Sequence, residues 1–278
     1  MNLRIGFTIW RKDSDRIKDL IRDFIETGID HVEIDIDSIV ELNDVSWLKS
    51  FVRLLRDYNL SIGFHAPWRE LYIASPVESI RRTSTEIIRE VTERLDSLDI
   101  DYKYIVLHGS SEQPICSENT SVCLDSLVRS LEEMLRGGSK KICIETIQGK
   151  CCGRLDHIEY VVDRIPEANV CIDLAHLYSE YYKLKSFKTL SDVIEIISSK
   201  ILKRSIVIHL HGLVREGSRF RTHRTFTHIP LGEVSLVEVL KKYNNIAFLV
   251  FEVFYSNEDR VAWPRDVVDE IRRIRSLI

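Results

Sequence analysis

Apolar and polar positions along the chain fall into two alternating rhythms. Eight short runs rich in β-branched residues recur: LRIGFTIW, HVEIDID, LSIGFHAPW, YIVLHGS, KICIETI, VCIDLAH, SIVIHLHG and AFLVFEVF. They begin near residues 3, 31, 60, 104, 141, 170, 205 and 247. Continuous apolar runs of this length suit strands buried on both faces, as in a parallel sheet. Between them lie segments with helical period. DRIKDLIRDFIETG puts Ile17, Leu20, Ile21 and Phe24 on one face, and SWLKSFVRLLRDY does the same with Trp47, Phe51 and Leu54. SIRRTSTEIIREVTERLDSL and the closing DVVDEIRRIRSLI repeat the pattern.

Strands alternating with amphipathic helices imply βαβ units with right-handed crossovers. Eight such units and no ninth strand favour closure into a single-domain (β/α)8 barrel over residues 1–278. No Pro/Gly-rich linker or low-complexity segment divides the chain. The longest irregular stretch runs from Gly212 to Gly232, after the seventh strand, and a long loop in a compact domain is usually functional.

Composition adds little to this. The chain is 44% hydrophobic and 29% charged, a globular balance, and its formal charge of −4 exerts no overall pull toward nucleic acid or an anionic membrane. No apolar run approaches the ~20 residues needed to span a bilayer, and the amino-terminal MNLRIGFTIW reads as a strand, not a signal peptide. The expectation is a cytoplasmic protein. Its six cysteines include no CxxC pair, and Cys143 and Cys171 sit inside strand runs, so the plain reading is reduced thiols. The abundance of Ile, Arg, Glu and Lys would also suit a thermophile, in which intracellular disulfides occur.

The chemistry is concentrated where the strands end. Run three ends at His65 and run four at His108. Run five carries Glu145, and run six carries Asp173 with His176 just beyond. Run seven carries His209 and His211, and run eight carries Glu252. In a barrel of this class the carboxyl ends of the strands form the active face, so these residues converge although they are far apart in sequence. Imidazole and carboxylate together suit Mn, Zn, Co or Fe, and buried carboxylates need a cation or good hydrogen bonds to stay ionised. A divalent-metal site is therefore expected. His31 and His157 lie elsewhere and read as structural, and Glu33 and Asp35 are either substrate contacts or members of barrel salt bridges.

FHAPW, VLHGS, CIETIQG, CIDLAH, IHLHG, THIPLGEV and VFEVF occur in an order that resembles the xylose-isomerase-like barrels. That group holds sugar isomerases and epimerases together with nucleases of the endonuclease IV type. The epimerase branch implies one metal held by Glu145, Asp173, His209 and Glu252, with the two glutamates as opposed acid and base. His176 and Arg215 would contact the substrate, with His65, Trp68 and His211 beside it and Trp10 available to pack on a sugar face. The first expectation from the resemblance is a metal-dependent isomerase or epimerase of a small sugar, sugar phosphate or polyol, working through a metal-stabilised enediolate.

The nuclease branch implies three ions, with His65, His108, His176 and His228 as additional ligands, and cleavage of DNA at abasic sites. Departures weigh against it. Phe226 stands where that branch has an aspartate ligand, and the strand-seven motif reads His209-Leu210-His211-Gly212 in place of His-x-Asn-Asp. His211 or His223 would be the substitutes that keep a multinuclear site open. A metal- or sugar-binding barrel without turnover is the third reading.

Overall fold

The computed structural model describes residues 3–109, 116, 118–138, 141–149, 151 and 153–278. Eight parallel strands close into a barrel: β1 (Arg4–Trp10), β2 (His31–Asp35), β3 (Ser61–His65), β4 (Tyr102–Leu107), β5 (Ile142–Glu145), β6 (Asn169–Asp173), β7 (Ser205–Leu210) and β10 (Phe248–Phe251). Each corresponds to one of the eight runs. Neighbours in space are neighbours in sequence, and β10 closes on β1 with Arg4 opposite Phe248.

The strands have two buried faces because successive side chains alternate. One set, including Ile5, Phe7, Ile34, Phe64, Ile144, Ile172, Ile208 and Phe251, packs with the surrounding helices into one large core. The other set lines the interior, where Tyr104, Val106, Cys143, Cys171, Val207 and Val250 form a second, small cluster. Helix Ile17–Thr27 buries Ile17, Leu20, Ile21 and Phe24 as its period predicts, and Gly28 (φ 79°) ends it in the left-handed conformation. Helix Ser46–Asp57 buries Leu55 fully and leaves Leu54 only half-buried, a shift of one residue from the expected face.

Register carries the interior set up to one end of the barrel. Glu33 lies opposite Thr8 and Gly63, and Asp35 lies opposite Trp10 and His65. Glu145 lies opposite Cys171, Asp173 opposite His209, and His209 opposite Val250. Space for the polar groups lower in the barrel depends on glycine. A Cβ on Gly63 would stand 2.5 Å from the Tyr104 ring, and one on Gly6 would stand 2.7 Å from His31. Gly63→Ala is accordingly expected to destabilise the barrel by about 1–3 kcal/mol through overpacking, read by urea denaturation; an unchanged midpoint would show that Tyr104 can yield.

Two expectations need correction. The stretch after the seventh strand is not wholly irregular: β8 (Gly212–Glu216) and β9 (Arg219–Arg224) form an antiparallel hairpin. Gly217, at φ 61°, supplies the positive-φ turn position of its two-residue loop. Nor are all the cysteines reduced, since Cys116 and Cys123 are joined by a disulfide with Cα atoms 5.6 Å apart. The chain at Cys116 is held against the first turn of helix Thr120–Arg136, where the Thr120 hydroxyl donates to the Cys116 carbonyl. Cys143 and Cys171 are thiols buried in the barrel, as expected. Among the described residues no helix is long and apolar enough to cross a membrane.

Candidate metal centre

Glu145, at the end of β5, is the hub of the carboxyl face. Its carboxylate is buried and its two oxygens face different partners. Oε2 meets His65 Nε2 at 3.3 Å and His108 Nε2 at 3.0 Å, while Oε1 meets His209 Nδ1 at 3.2 Å. Glu252 Oε2 lies 3.3 Å from the same His209 nitrogen. Asp173 caps the helix that follows β6: its Oδ1 accepts the His176 backbone N–H at 2.7 Å, and its Oδ2 stands 3.2 Å from His211 Nε2. Ligand-type atoms of Glu145, Asp173, His209 and Glu252 lie within 4.8 Å of one another, as do those of His65, His108 and Glu145.

The electrostatics are those of a site built around positive charge. Burial opposes ionisation of Glu145, yet His108, His209 and His65 hold its pKa well below the usual carboxylate range. Burial likewise opposes charge on His65, and Glu145 and Asp35 outweigh it, lifting the imidazole to about 10. Burial pushes Glu252 up to about 7, with His209 pulling the other way and Glu145 adding to the rise. Asp35 rises to about 6 through burial. In the metal-free protein, protons on the imidazoles supply the cationic charge that these carboxylates need.

The donor set fits a divalent ion. Asp173 Oδ2, His211 Nε2 and Glu252 Oε2 are buried, Asp173 Oδ2 and His211 Nε2 facing each other at 3.2 Å and Glu252 Oε2 facing His209 Nδ1 at 3.3 Å. Carboxylate and imidazole donors converging on one buried point are the donor types a divalent ion takes. The four residues Glu145, Asp173, His209 and Glu252 would hold one ion. His65 and His108, with the second oxygen of Glu145, would hold another.

Orientation of His209 comes from below. Its Nε2–H donates to Glu33 Oε2 at 3.0 Å, which turns Nδ1 toward the centre. Glu33 is fully buried, takes the Thr8 hydroxyl at 3.4 Å and interacts with Tyr104. Tyr104 and Ser61 in turn hold His31, each at 2.8 Å. Burial pushes the His31 pKa down to about 3, which makes His31 a neutral structural residue, as its position away from the strand ends implies. Sequence reasoning left the role of Glu33 open; the signal was its placement two residues before Asp35, on the interior side of β2. Glu33→Gln keeps the shape but removes the charge, and is expected to weaken metal binding about 10–100-fold in a chelator-competition titration. Unchanged affinity would show that His209 needs no such anchor.

A cleft of about 280 Å³ opens above the centre, lined in part by Asp35, Trp68, Glu145, His176, Thr222 and His223. Trp68 is thus at the site, whereas Trp10 donates its indole N–H to Asp35 at 2.6 Å and packs against Phe254. Arg215 is not at the site: it sits exposed on the hairpin, where its Nε donates to the Gly217 carbonyl and its guanidinium lies over Tyr182. His228 is also elsewhere, on a separate depression with Ser256, Asn257 and Arg260. Phe226 is buried against Phe251, an apolar contact at the position where the nuclease pattern has its aspartate. His157 is half-buried on helix Leu155–Arg164, away from the centre, in line with its structural reading.

Fold and site together define a (β/α)8 barrel with a carboxylate- and imidazole-lined centre suited to divalent metal at the carboxyl ends of its strands. The chain belongs to the family described as xylose isomerase-like TIM barrel, whose model matches residues 21–277. It is 26% identical over 202 residues to a probable endonuclease 4 of Finegoldia magna, covering 69% of each chain. It is 27% identical over 202 residues to a probable endonuclease 4 of Carboxydothermus hydrogenoformans, again covering 69% of each. Among solved structures it resembles a D-tagatose 3-epimerase-like protein (TM-score 0.71, 18% identity, 99% and 96% of the two chains). It also resembles endonuclease IV from Thermus thermophilus (TM-score 0.64, 16% identity, 99% and 98%). At these identities the structural likeness establishes the fold.

Proposed function

We propose that this chain is a metal-dependent phosphodiesterase that cleaves DNA at abasic sites. The observation that carries this reading is the two-sided engagement of Glu145: Oε2 faces His65 and His108 while Oε1 faces His209, so that one carboxylate is shared by two candidate metal-holding groups. Divalent ions held by these two groups would supply an activated water at neutral pH and positive charge for the oxygens of a phosphodiester. Glu145 would serve both groups, and Glu33 aims His209. The described residues lining the cleft include no lysine or arginine, so positive charge to attract an anionic phosphate would come from the imidazoles or from bound metal. Trp68 presents a ring at the cleft wall, suited to stack on an exposed base or sugar. The probable endonuclease 4 relatives favour the same chemistry.

The isomerase or epimerase reading has one observation in its favour. Glu145 and Glu252 both reach His209 Nδ1, at 3.2 and 3.3 Å, and so flank one centre as an acid–base pair would. It lacks the substrate arginine, since Arg215 lies on the exposed hairpin. The two readings separate in one set of assays on metal-loaded protein. Nicking of an abasic-site duplex, with no deuterium uptake by ketoses in heavy water, is the expected result. Deuterium uptake without nicking would reverse the assignment.

A further inference from the structure

The cleft above the metal centre holds one carboxylate that belongs to none of the groups of metal-type ligands. Asp35, the last residue of β2, is 5% exposed and lines the cleft with Trp68 and Phe254. Its two oxygens differ. Oδ2 accepts the Trp10 indole N–H at 2.6 Å, whereas Oδ1 is buried and has no hydrogen-bond partner among the described residues. We propose that Asp35 Oδ1 accepts the anomeric hydroxyl of an abasic deoxyribose, and so distinguishes a sugar that has lost its base from an intact nucleotide. This rests on the phosphodiesterase reading and adds to it the residue that selects the substrate.

The ordinary role for a carboxylate beside a metal-ligand imidazole is to orient that ring. Asp35 is poorly placed for it. Oδ1 stands 3.9 Å from His65 Nδ1, beyond hydrogen-bond range, and the same nitrogen already donates to the Ala66 carbonyl at 3.0 Å. The backbone therefore fixes His65, and Oδ1 is left over as an acceptor. A buried acceptor without a donor is costly, and a donor brought in by the substrate removes that cost.

The chemistry of the pocket selects a sugar hydroxyl over the alternatives. A phosphate oxygen would meet like charge at Asp35. The glycosidic nitrogen of an intact nucleotide has no proton to give, whereas the cyclic form of an abasic deoxyribose carries an O–H on the carbon that the base has left. Position agrees with this. The His65 ring stands between Asp35 and Glu145, its Nδ1 toward the first and its Nε2 3.3 Å from the second, so the acceptor lies one imidazole away from the carboxylate hub, on the scale of a pentose ring. Trp68 supplies a flat wall against which a sugar face can pack. The Arg69 guanidinium lies over that indole at 4.7 Å and is itself held by Asp37 at 2.7 Å. Trp10 packs on Phe254 at 4.0 Å, which fixes the indole that orients the Asp35 carboxylate.

The test compares two duplexes, one with a natural abasic site and one with a tetrahydrofuran analogue that has hydrogen in place of the anomeric hydroxyl. The metal-loaded native chain is expected to cut the hydroxyl-bearing site with a kcat/KM about tenfold or more above the analogue, the effect of one hydrogen bond to a buried carboxylate. In Asp35→Asn the amide oxygen serves the Trp10 indole, which puts an N–H donor where Oδ1 was. The preference should then shrink to about twofold or less, through loss on the hydroxyl-bearing site, with metal content and melting temperature retained. The native comparison is decisive by itself should the variant fail to fold: equal cutting of both duplexes overturns this proposal alone. An Asp35→Asn chain that loses metal and slows alike on both duplexes also overturns it, since that is the behaviour of a residue that orients His65. Nicking of neither duplex by the native chain overturns the phosphodiesterase reading and this proposal with it.

Discussion

Replacing Glu145 by alanine is expected to lower turnover about 10³-fold or more and to release metal from both sides of the carboxylate. A single residue has this reach because its two oxygens serve three imidazoles, His65, His108 and His209, all within 3.3 Å. Metal-based stabilisation of a phosphoryl transition state is worth several kcal/mol, and about 4 kcal/mol corresponds to the thousandfold loss. Glu145→Gln, which keeps the volume, should behave similarly and shows that charge, not packing, is responsible. The measurement is initial rate on an abasic-site duplex alongside metal content. A variant within tenfold of native activity that keeps its full metal complement would remove Glu145 from the centre of the mechanism.

Stripping the metal is expected to lower the melting temperature by on the order of 10 °C, reversibly. A ligand present at about a thousand times its Kd stabilises the native state by about 4 kcal/mol, and each kcal/mol shifts a chain of this size by about 2–4 °C. The buried carboxylates make the effect larger than for a surface site. Asp35, Glu145, Asp173 and Glu252 are all at most 5% exposed, and without metal they depend on protonated imidazoles or on taking up protons themselves. Calorimetry with chelator, then with restored zinc or manganese, reads the shift directly. Identical melting in all three conditions would mean that the cluster is satisfied by its own protons and binds no ion tightly.

The barrel was legible because its signal is local. A β-strand buried on both faces must be apolar nearly throughout, and each of the eight runs became a barrel strand for that reason. Polar residues inside such runs are costly to bury, so their recurrence at one end of six strands pointed to a shared site, and Glu145, Asp173, His209 and Glu252 converge there. Trp68 and His65 also reach the site, one on the cleft wall and one against Glu145. Motif spacing misled where it left the strands. Arg215 and His228 occupy hairpin and loop positions, and a loop residue at a family spacing points wherever its own backbone takes it. Arg215 is carried out along β8 to an exposed turn, and His228 faces a different depression.

The sequence alone thus determined the eight barrel strands, their alternation with helices and the strand-borne polar residues of the candidate site, because strand periodicity and burial act through neighbouring residues. The tertiary structure decided three things that depend on contacts across the barrel. Glu33, 176 residues from His209, is the anchor that turns that imidazole toward the centre. The hairpin brings His223 back over His211, helped by the glycine at 212 that admits the Thr225 backbone. And the carboxylate of Glu145 divides its oxygens between two groups of histidines. None of these is a property of a local run of residues; each arises from the direction in which a side chain emerges once the barrel has closed.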